Sequence, residues 1–378
     1  MTTGDDHVSD IVAGGSAANQ QETAKDTGLD GRFDGRRSTV FWMQLRYVLL
    51  PVLTLGIYRF WAKTKTRQYF WSHAEIAGDR LEYLGSAKEL LIGFLIALAI
   101  LLPLSGIGVA AETLFATSPE TAGLLATLGS LGVLLFIQVA LYRMWRYRLT
   151  RTAWRGIRFG MDGSTLAFAG MSILYFVLTS FTLGLAFPWM RVALARYRIN
   201  NARFGDRHFQ CDATGGSLFL PWLIVYLTLG IGYVWYLVRE FNTIVSHTRF
   251  GDSEIATRVR AAPVYGWAVL MLAILAGGFV FVFILQNSSL DFMVRTAAHH
   301  PEAVTTVFFG VWFVGGLLLL VAAWVMIVAF VLFEVAKQAC NSLQVSDIAV
   351  FEAAAAQSGA LEPTHGEGLA DALDVGAF

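Results

Sequence analysis

The sequence predicts an all-α polytopic membrane protein with four full transmembrane helices and three repeated membrane segments that either re-enter or span the bilayer. Three observations predict it. The composition is 56% hydrophobic and 15% charged, whereas a soluble domain carries about 25% charged residues. Four long stretches carry no charge, and one eight-residue phrase occurs three times. Amphipathic interfacial helices and small cytoplasmic β-hairpins complete the predicted fold.

The four uncharged stretches are the predicted transmembrane helices. They cover residues 90–111, 122–142, 264–286 and 304–333. Each supplies the roughly 20 apolar residues that a helix needs to cross about 30 Å of hydrocarbon. One such stretch is compatible with a buried core helix, but four in one chain indicate a membrane protein.

Three further apolar stretches, near 39–60, 164–188 and 216–238, contain the phrases TLGIYRFW, TLGLAFPW and TLGIGYVW. We call the shared pattern the TLG motif. Glycine permits a turn, and the threonine hydroxyl can satisfy a carbonyl that the turn frees. Tryptophan prefers the headgroup level of a bilayer. The motif residues are Thr54, Leu55, Gly56, Trp61, Thr182, Leu183, Gly184, Trp189, Thr228, Leu229, Gly230 and Trp235.

A basic amphipathic helix is predicted after each TLG motif, over 62–72, 190–200 and 236–246, and it suits the membrane interface. A Gly-Asp turn between β-prone residues follows and predicts a small hairpin. Residues 154–163 predict a fourth hairpin without a TLG motif.

These features divide the chain into a membrane domain between two tails. The domain covers 31–350, with a disordered tail over 1–30 and a flexible acidic tail over 351–378. It contains the repeats 39–87, 164–215 and 216–263 and the helix pairs 88–142 and 264–333.

The distribution of basic residues leaves two topologies open. Lys and Arg cluster after every TLG motif and over 143–158, whereas the connectors 111–121 and 287–303 hold one arginine, Arg295. Cytoplasmic loops carry such an excess. If the TLG segments cross the bilayer, the loop 189–215 lies outside with five arginines. If they re-enter, every basic cluster is cytoplasmic, at the cost of irregular backbone inside the membrane. We favour re-entry, and in both topologies the C-terminus is cytoplasmic.

The TLG repeat, the stretch RYRLTRTAWRGIRFGMDG (146–163) and the FDG opening (33–35) together resemble the YjgN family. The resemblance covers the chain from Phe33 to about Ser346. It implies a multi-pass protein of the bacterial inner membrane. It implies no activity, because the family has no assigned catalytic or binding residues.

Polar residues within this pattern are candidates for a site. His73 and His247 occupy equivalent repeat positions, but the third copy has Asn201, so a helix cap or headgroup contact is favoured and no metal site is predicted. Arg46 lies inside an apolar stretch, where it is either functional or reaches the interface with its long side chain. The cluster of arginines and aromatic residues over 143–158 offers possible contacts to anionic lipid, through Arg143, Arg146 and Arg148.

The sequence contains no motif of a known enzyme class, and its two cysteines are far apart. We therefore expect no enzymatic activity, no cofactor and no nucleic-acid partner. Repeats with interrupted helices are typical of transporters, so the first hypothesis is a conduit or transporter for a small solute. The alternative is a lipid-binding or scaffold protein that uses its Arg/aromatic cytoplasmic face. Membrane lipids are the expected partners, and a homo-oligomer is left open.

Overall fold

A computed structural model describes residues 29–54, 56–114, 118–288 and 301–354. Four helices in this part of the chain are long and apolar enough to cross a membrane: Ala87–Ile107, Glu120–Thr150, Ala261–Ile284 and Phe313–Asn341. Each overlaps one of the four predicted spans, so the prediction of a membrane protein with four long apolar helices is confirmed.

The helices are numbered in chain order. They are α1 (Arg37–Leu53), α2 (Arg59–Ser72), α3 (Ala87–Leu114), α4 (Pro119–Thr150), α5 (Thr165–Phe181), α6 (Phe187–Asn200), α7 (Phe219–Leu227), α8 (Tyr233–Ser246), α9 (Ala261–Ser288), α10 (Pro301–Met326), α11 (Phe333–Asn341) and α12 (Ala349–Glu352). A 3₁₀ turn, Gly215–Leu218, precedes α7, and a π-helical stretch, Ile327–Leu332, joins α10 to α11.

Ten short strands form one closed antiparallel barrel. They are β1 (Leu29–Phe33), β2 (Ala74–Ile76), β3 (Asp79–Tyr83), β4 (Thr152–Trp154), β5 (Ile157–Met161), β6 (Ala202–Phe204), β7 (Arg207–Cys211), β8 (Thr248–Phe250), β9 (Ser253–Ala256) and β10 (Gln344–Val345). Pairing of β1 with β10 closes the barrel. The predicted hairpins exist, and they join in one barrel, which the prediction of small hairpins did not include. An isolated hairpin is marginally stable and leaves two unpaired edges, and closure of the barrel removes those edges.

The barrel interior is filled by side chains. Five equivalent positions, each three residues beyond the C-cap residue of a helix that leads into the barrel, contribute Ile76, Trp154, Phe204, Phe250 and Val345. Phe351 and Ala354 from the region of α12 pack against them. The barrel is therefore a hydrophobic core, as expected for a small barrel.

The barrel includes residues from both predicted tails. Phe351 and Ala354 were assigned to the tail 351–378, yet both are buried in the barrel. Leu29 and Asp30 were assigned to the tail 1–30, yet they pair with β10. The C-terminal difference arises from Phe351. A single hydrophobic residue that anchors the segment does not stand out within an acidic stretch.

The described residues form five similar units, each with a helix that leaves the barrel, a helix that returns and a strand on each side. In four units the backbone N–H after a strand donates to the carbonyl that ends the returning helix. These bonds are Asp34 N to His73 O (3.2 Å), Leu84 N to Arg151 O (2.7 Å), Asp162 N to Asn201 O (2.8 Å) and Asp212 N to His247 O (3.2 Å). In the fifth, Arg258 N donates to Ser342 Oγ (3.1 Å). The long helix pairs α3/α4 and α9/α10–α11 are thus further copies of the unit that contains the TLG motif.

Each TLG motif forms the apex of a helical hairpin. The hydroxyl of Thr228 donates to Ile224 O (2.8 Å) and accepts from the N–H of Gly232 (3.0 Å), so one side chain caps both helices. Thr54 and Thr182 make the same pair of bonds. Because both ends of the hairpin continue into barrel strands, the segment returns to the barrel.

The glycine of the motif adopts a positive φ, which is 88° at Gly184 and 90° at Gly230. Alanine is strained at both positions, which costs about 1–3 kcal/mol. At Gly184 a Cβ would also overlap the hydroxyl of Tyr226, whereas at Gly230 the space is open. We expect Gly184→Ala to lower the thermal unfolding midpoint in detergent more than Gly230→Ala.

The control is Tyr226→Phe, which removes the overlapping hydroxyl. In the Gly184→Ala background it should bring the unfolding midpoint towards that of Gly230→Ala. Equal losses from Gly184→Ala and Gly230→Ala would show that the described packing between α7 and the second apex is incorrect.

Candidate functional site

The two histidines singled out by the sequence cap helices. Nδ1 of His73 lies 2.7 Å from Tyr69 O, and Nδ1 of His247 lies 2.8 Å from Thr243 O. Asn201 makes the equivalent bond through Nδ2 to Tyr197 O (2.7 Å). Within the described residues no group of three metal-ligating side chains is found. The shared role accounts for the exchange of histidine and asparagine at this position.

The predicted lipid-contact arginines have different environments. Arg146 donates to Met161 O (2.9 Å) and Gly163 O (3.0 Å), and thereby ties α4 to the end of β5. Arg148 is buried. Arg143 is half-buried and Arg46 is exposed. Arg143 and Arg46 therefore remain on the surface of the helices, while Arg146 and Arg148 have contacts inside the protein.

Large apolar side chains are exposed at the apices of the TLG hairpins. Six of them are at least 77% exposed: Leu53, Phe181, Leu183, Leu227, Leu229 and Ile231. Contiguous apolar surface of this kind marks an interaction with another protein or with a membrane. The apices lie at the ends of helices that lead away from the barrel, so the apolar surface is remote from it.

Three of the five returning helices carry a basic residue at one level, where the other two have Ala193 and Glu334. Lys65, Arg143 and Arg239 each lie eight residues before the C-cap residue of their helix, which is His73, Arg151 or His247. We call these three residues the basic belt. Eight residues of α-helix span about 12 Å. The belt therefore lies about 12 Å from the barrel, between the barrel and the apices.

The tryptophans of the TLG motifs lie four residues further from the barrel than the belt level. Trp61, Trp189 and Trp235 each lie twelve residues before the end of the returning helix. Four residues correspond to about 6 Å of helix. Barrel, basic belt, tryptophans and apolar apices thus follow one another along the helices.

A cavity of about 580 Å³ lies between α4, α6, α8 and strands β5–β8. Most of its lining is apolar, from residues that include Trp145, Leu149, Phe159, Phe209, Leu237 and Ile244. Three charged side chains also line it: Arg191, Arg198 and Glu240. A mainly apolar cavity with a few polar groups is typical of a ligand site.

Glu240 is almost fully buried in this cavity, with 4% of its surface exposed. Arg191 Nε donates to its Oε1 (2.8 Å). Its Oε2 is buried and has no hydrogen-bond partner among the described residues. Burial raises the pKa of Glu240 above its ordinary value, and the neighbouring Arg191 acts in the opposite direction.

Arg198 lies beside this pair without a carboxylate of its own. Its Nε donates to Leu194 O (3.3 Å), and its guanidinium lies 4.4 Å from the ring centre of Trp145. Burial lowers the pKa of Arg198 to about 10, so the group stays charged at neutral pH. The cavity lining therefore holds two cations and one anion.

Sequence reasoning missed this cavity. Glu240 is the one acidic residue of α8, between Arg239 and Phe241 in a largely apolar helix. An isolated carboxylate in such a helix was the available signal. The partner Arg191 lies 49 residues away, and only the packing of α6 against α8 brings the two together.

The architecture defines a polytopic membrane protein whose helical hairpins all stand on one small β-barrel. The chain belongs to a family of bacterial proteins of unknown function (DUF898), the YjgN family, whose model matches residues 29–228 and 216–358. The resemblance drawn from the TLG motifs is thus confirmed. No curated protein and no solved structure matches the chain.

Proposed function

We propose that this protein is a lipid-binding protein of the bacterial inner membrane, with its barrel in the cytoplasm and its hairpins in the bilayer. The observation that carries the proposal is the order of surfaces along the helices: barrel, basic belt, tryptophans, apolar apices. Basic and aromatic side chains prefer the interface, and apolar ones prefer the hydrocarbon. Cytoplasmic loops carry the basic excess, which supports a cytoplasmic barrel.

The dimensions of the hairpins support re-entry. Six residues of helix separate Tyr233, where α8 begins, from Arg239 in the belt, which is about 9 Å. The turn over residues 229–232 extends the hairpin beyond this. With the belt at the headgroups, the apex enters the hydrocarbon, but the helix is far shorter than the roughly 30 Å hydrocarbon thickness.

The hydrogen bonds at the apices support the same placement. Backbone groups inside hydrocarbon must be satisfied by the protein. The threonine hydroxyl of the motif does this, and the glycine N–H adds a bond to the carbonyl five residues earlier, such as Gly230 N to Val225 O (2.8 Å). The irregular backbone that made re-entry costly in principle is thus compensated locally.

A lipid is favoured over a small polar solute by the packing of the protein. Phe204, Phe250 and Phe351 fill the barrel. The second apex is covered by Trp222, whose Nε1 donates to Gly184 O (2.9 Å).

A conduit is the second candidate, favoured by the ion pair between Arg191 and Glu240, which lies between two hairpins. Solute flux in proteoliposomes would support it.

The basic belt provides the test of the lipid-binding function. The triple variant Lys65→Gln, Arg143→Gln, Arg239→Gln should reduce the preference for phosphatidylglycerol over phosphatidylcholine at least tenfold, because each basic residue at an anionic surface contributes about 1 kcal/mol. The measurement is native mass spectrometry of the lipids retained after release from nanodiscs that hold equal amounts of both.

A matched control carries the same change in charge on the barrel. Arg158, Arg207 and Arg249 are exposed on barrel strands, so replacing all three with glutamine should leave the lipid preference unchanged. Equal effects of the two triple variants, or no preference in the unmodified protein, would refute the proposed function.

A further inference from the structure

We propose that the cavity between α4, α6 and α8 is a specific site for one amphiphile with a phosphate headgroup, which places its phosphate on Arg198 and its acyl chain along the apolar lining. This inference rests on the proposed lipid-binding function and adds a defined site to it. The basic belt describes many exchangeable lipids around the protein, whereas the cavity accepts one molecule.

The cavity lining has one more positive charge than negative charge, which favours the binding of an anion. Arg191 already pairs with Glu240 at 2.8 Å, and no other carboxylate of the described residues lies within ion-pair distance of Arg198. Arg198 is half-buried, and a partly desolvated charge without a counterion is costly. A guanidinium matches the geometry of a phosphate, to which it can donate two parallel hydrogen bonds. The anion that completes this set is therefore expected on Arg198.

The unpartnered oxygen of Glu240 adds a feature of the headgroup. Oε2 is buried without a hydrogen bond in the described part of the chain, with the buried Tyr236 hydroxyl as a neighbour of Glu240, and an unsatisfied buried acceptor is costly. A hydroxyl or ammonium group on the headgroup would donate to it. A glycerol or ethanolamine phosphodiester has both the phosphate and such a donor.

The rest of the cavity suits an acyl chain. Its volume of about 580 Å³ and its mainly apolar lining fall within the range of sites for ligands of this size. Phe241, the most exposed residue of the lining at 39%, lies where the cavity reaches the surface. Arg198 and Arg191 lie on either side of the belt level along α6, so the site is at headgroup depth.

The experiment measures binding of lysophosphatidylglycerol to the delipidated full chain in a neutral detergent, by native mass spectrometry. We expect one molecule per chain. Arg198→Gln should weaken binding at least tenfold, whereas Arg196→Gln, an exposed arginine on the same helix, should change it less than twofold. Ala195→Leu, which fills the cavity from a buried lining position, should also abolish the bound molecule.

Further ligands separate the possible sources of the headgroup chemistry. A monoacylglycerol with the same chain should not bind at the cavity, and inorganic phosphate should compete only weakly. Equal binding of the neutral amphiphile, or full competition by phosphate alone, would overturn the proposal. Unfolding midpoints of the variants close to that of the unmodified protein exclude misfolding as the cause of a loss.

The two experiments test the cavity site and the proposed lipid-binding function separately. If the belt variant loses its lipid preference while Arg198→Gln and Ala195→Leu still bind lysophosphatidylglycerol normally, the cavity site is refuted and the lipid-binding function stands. If the unmodified chain shows no preference for anionic lipid in either experiment, both are refuted.

Discussion

Phe204→Ala is expected to lower the free energy of unfolding by about 3–5 kcal/mol, the range for removal of a large side chain from a core. Phe204 is fully buried at the centre of the barrel. Its ring lies 4.8 Å from that of Phe159 and 6.1 Å from those of Phe250 and Phe351. Truncation would remove contacts to several strands together. Since the barrel joins all five units, the effect should extend to the whole protein.

The measurement is the unfolding transition in detergent micelles, followed by circular dichroism with increasing denaturant. Phe181→Ala is the matched control, because Phe181 is 84% exposed at a hairpin apex. It should change the free energy of unfolding by less than about 0.5 kcal/mol, as surface substitutions usually do. Similar losses for the two variants would show that the barrel is not the common core of the protein.

The helices were predictable because their signals are local. Length and hydropathy determine the four long spans, and they coincide with the observed helices. The TLG motifs were recognisable because the pattern occurs three times in the sequence. The structure gives a physical reason for each of the three residue types. Threonine caps two helices, Leu183 and Leu229 are exposed at their apices, and glycine adopts the positive φ that closes the turn.

The barrel was not predictable in the same way. Its strands are two to five residues long, which is too short for an alternating pattern to stand out. Their partners are mostly distant in sequence, as Leu29 and Val345 illustrate. The best sequence signal for the barrel was a hydrophobic residue three positions after the C-cap residue of each returning helix. Ile76, Trp154 and Val345 differ too much in type to be recognised as equivalent.

The five-unit repeat was concealed for a related reason. Two of the units replace the TLG apex with longer helices, so their sequences read as ordinary transmembrane pairs. Only hydrogen bonds such as Leu84 N to Arg151 O reveal that Arg151 and His73 occupy equivalent places. The sequence therefore predicted the residues of the basic belt in part, through Arg143, but not the common level that unites Arg143 with Lys65 and Arg239.

The membrane topology can be decided with single cysteines, and the structure determines where to place them. Native Cys211 is buried, so it is unsuitable for labelling. Arg158 and Arg207 are exposed on β5 and β7, and Ser118 is exposed at the start of α4. In a Cys340→Ser background, we expect Ser118→Cys to react with an impermeant maleimide in intact spheroplasts. Arg158→Cys and Arg207→Cys should react only after permeabilisation.

The pair Arg158→Cys and Arg207→Cys discriminates between the two topologies. If the TLG segments crossed the bilayer, the loop 189–215 would lie outside, and Arg207→Cys would react in intact spheroplasts while Arg158→Cys would not. The barrel forbids this difference, because β5 pairs with β6 and β6 pairs with β7. Strands on opposite sides of a membrane cannot share hydrogen bonds. Reaction of both cysteines under the same condition is thus a direct consequence of the sheet, and unequal reaction would refute both the closed barrel and the re-entrant hairpins that depend on it.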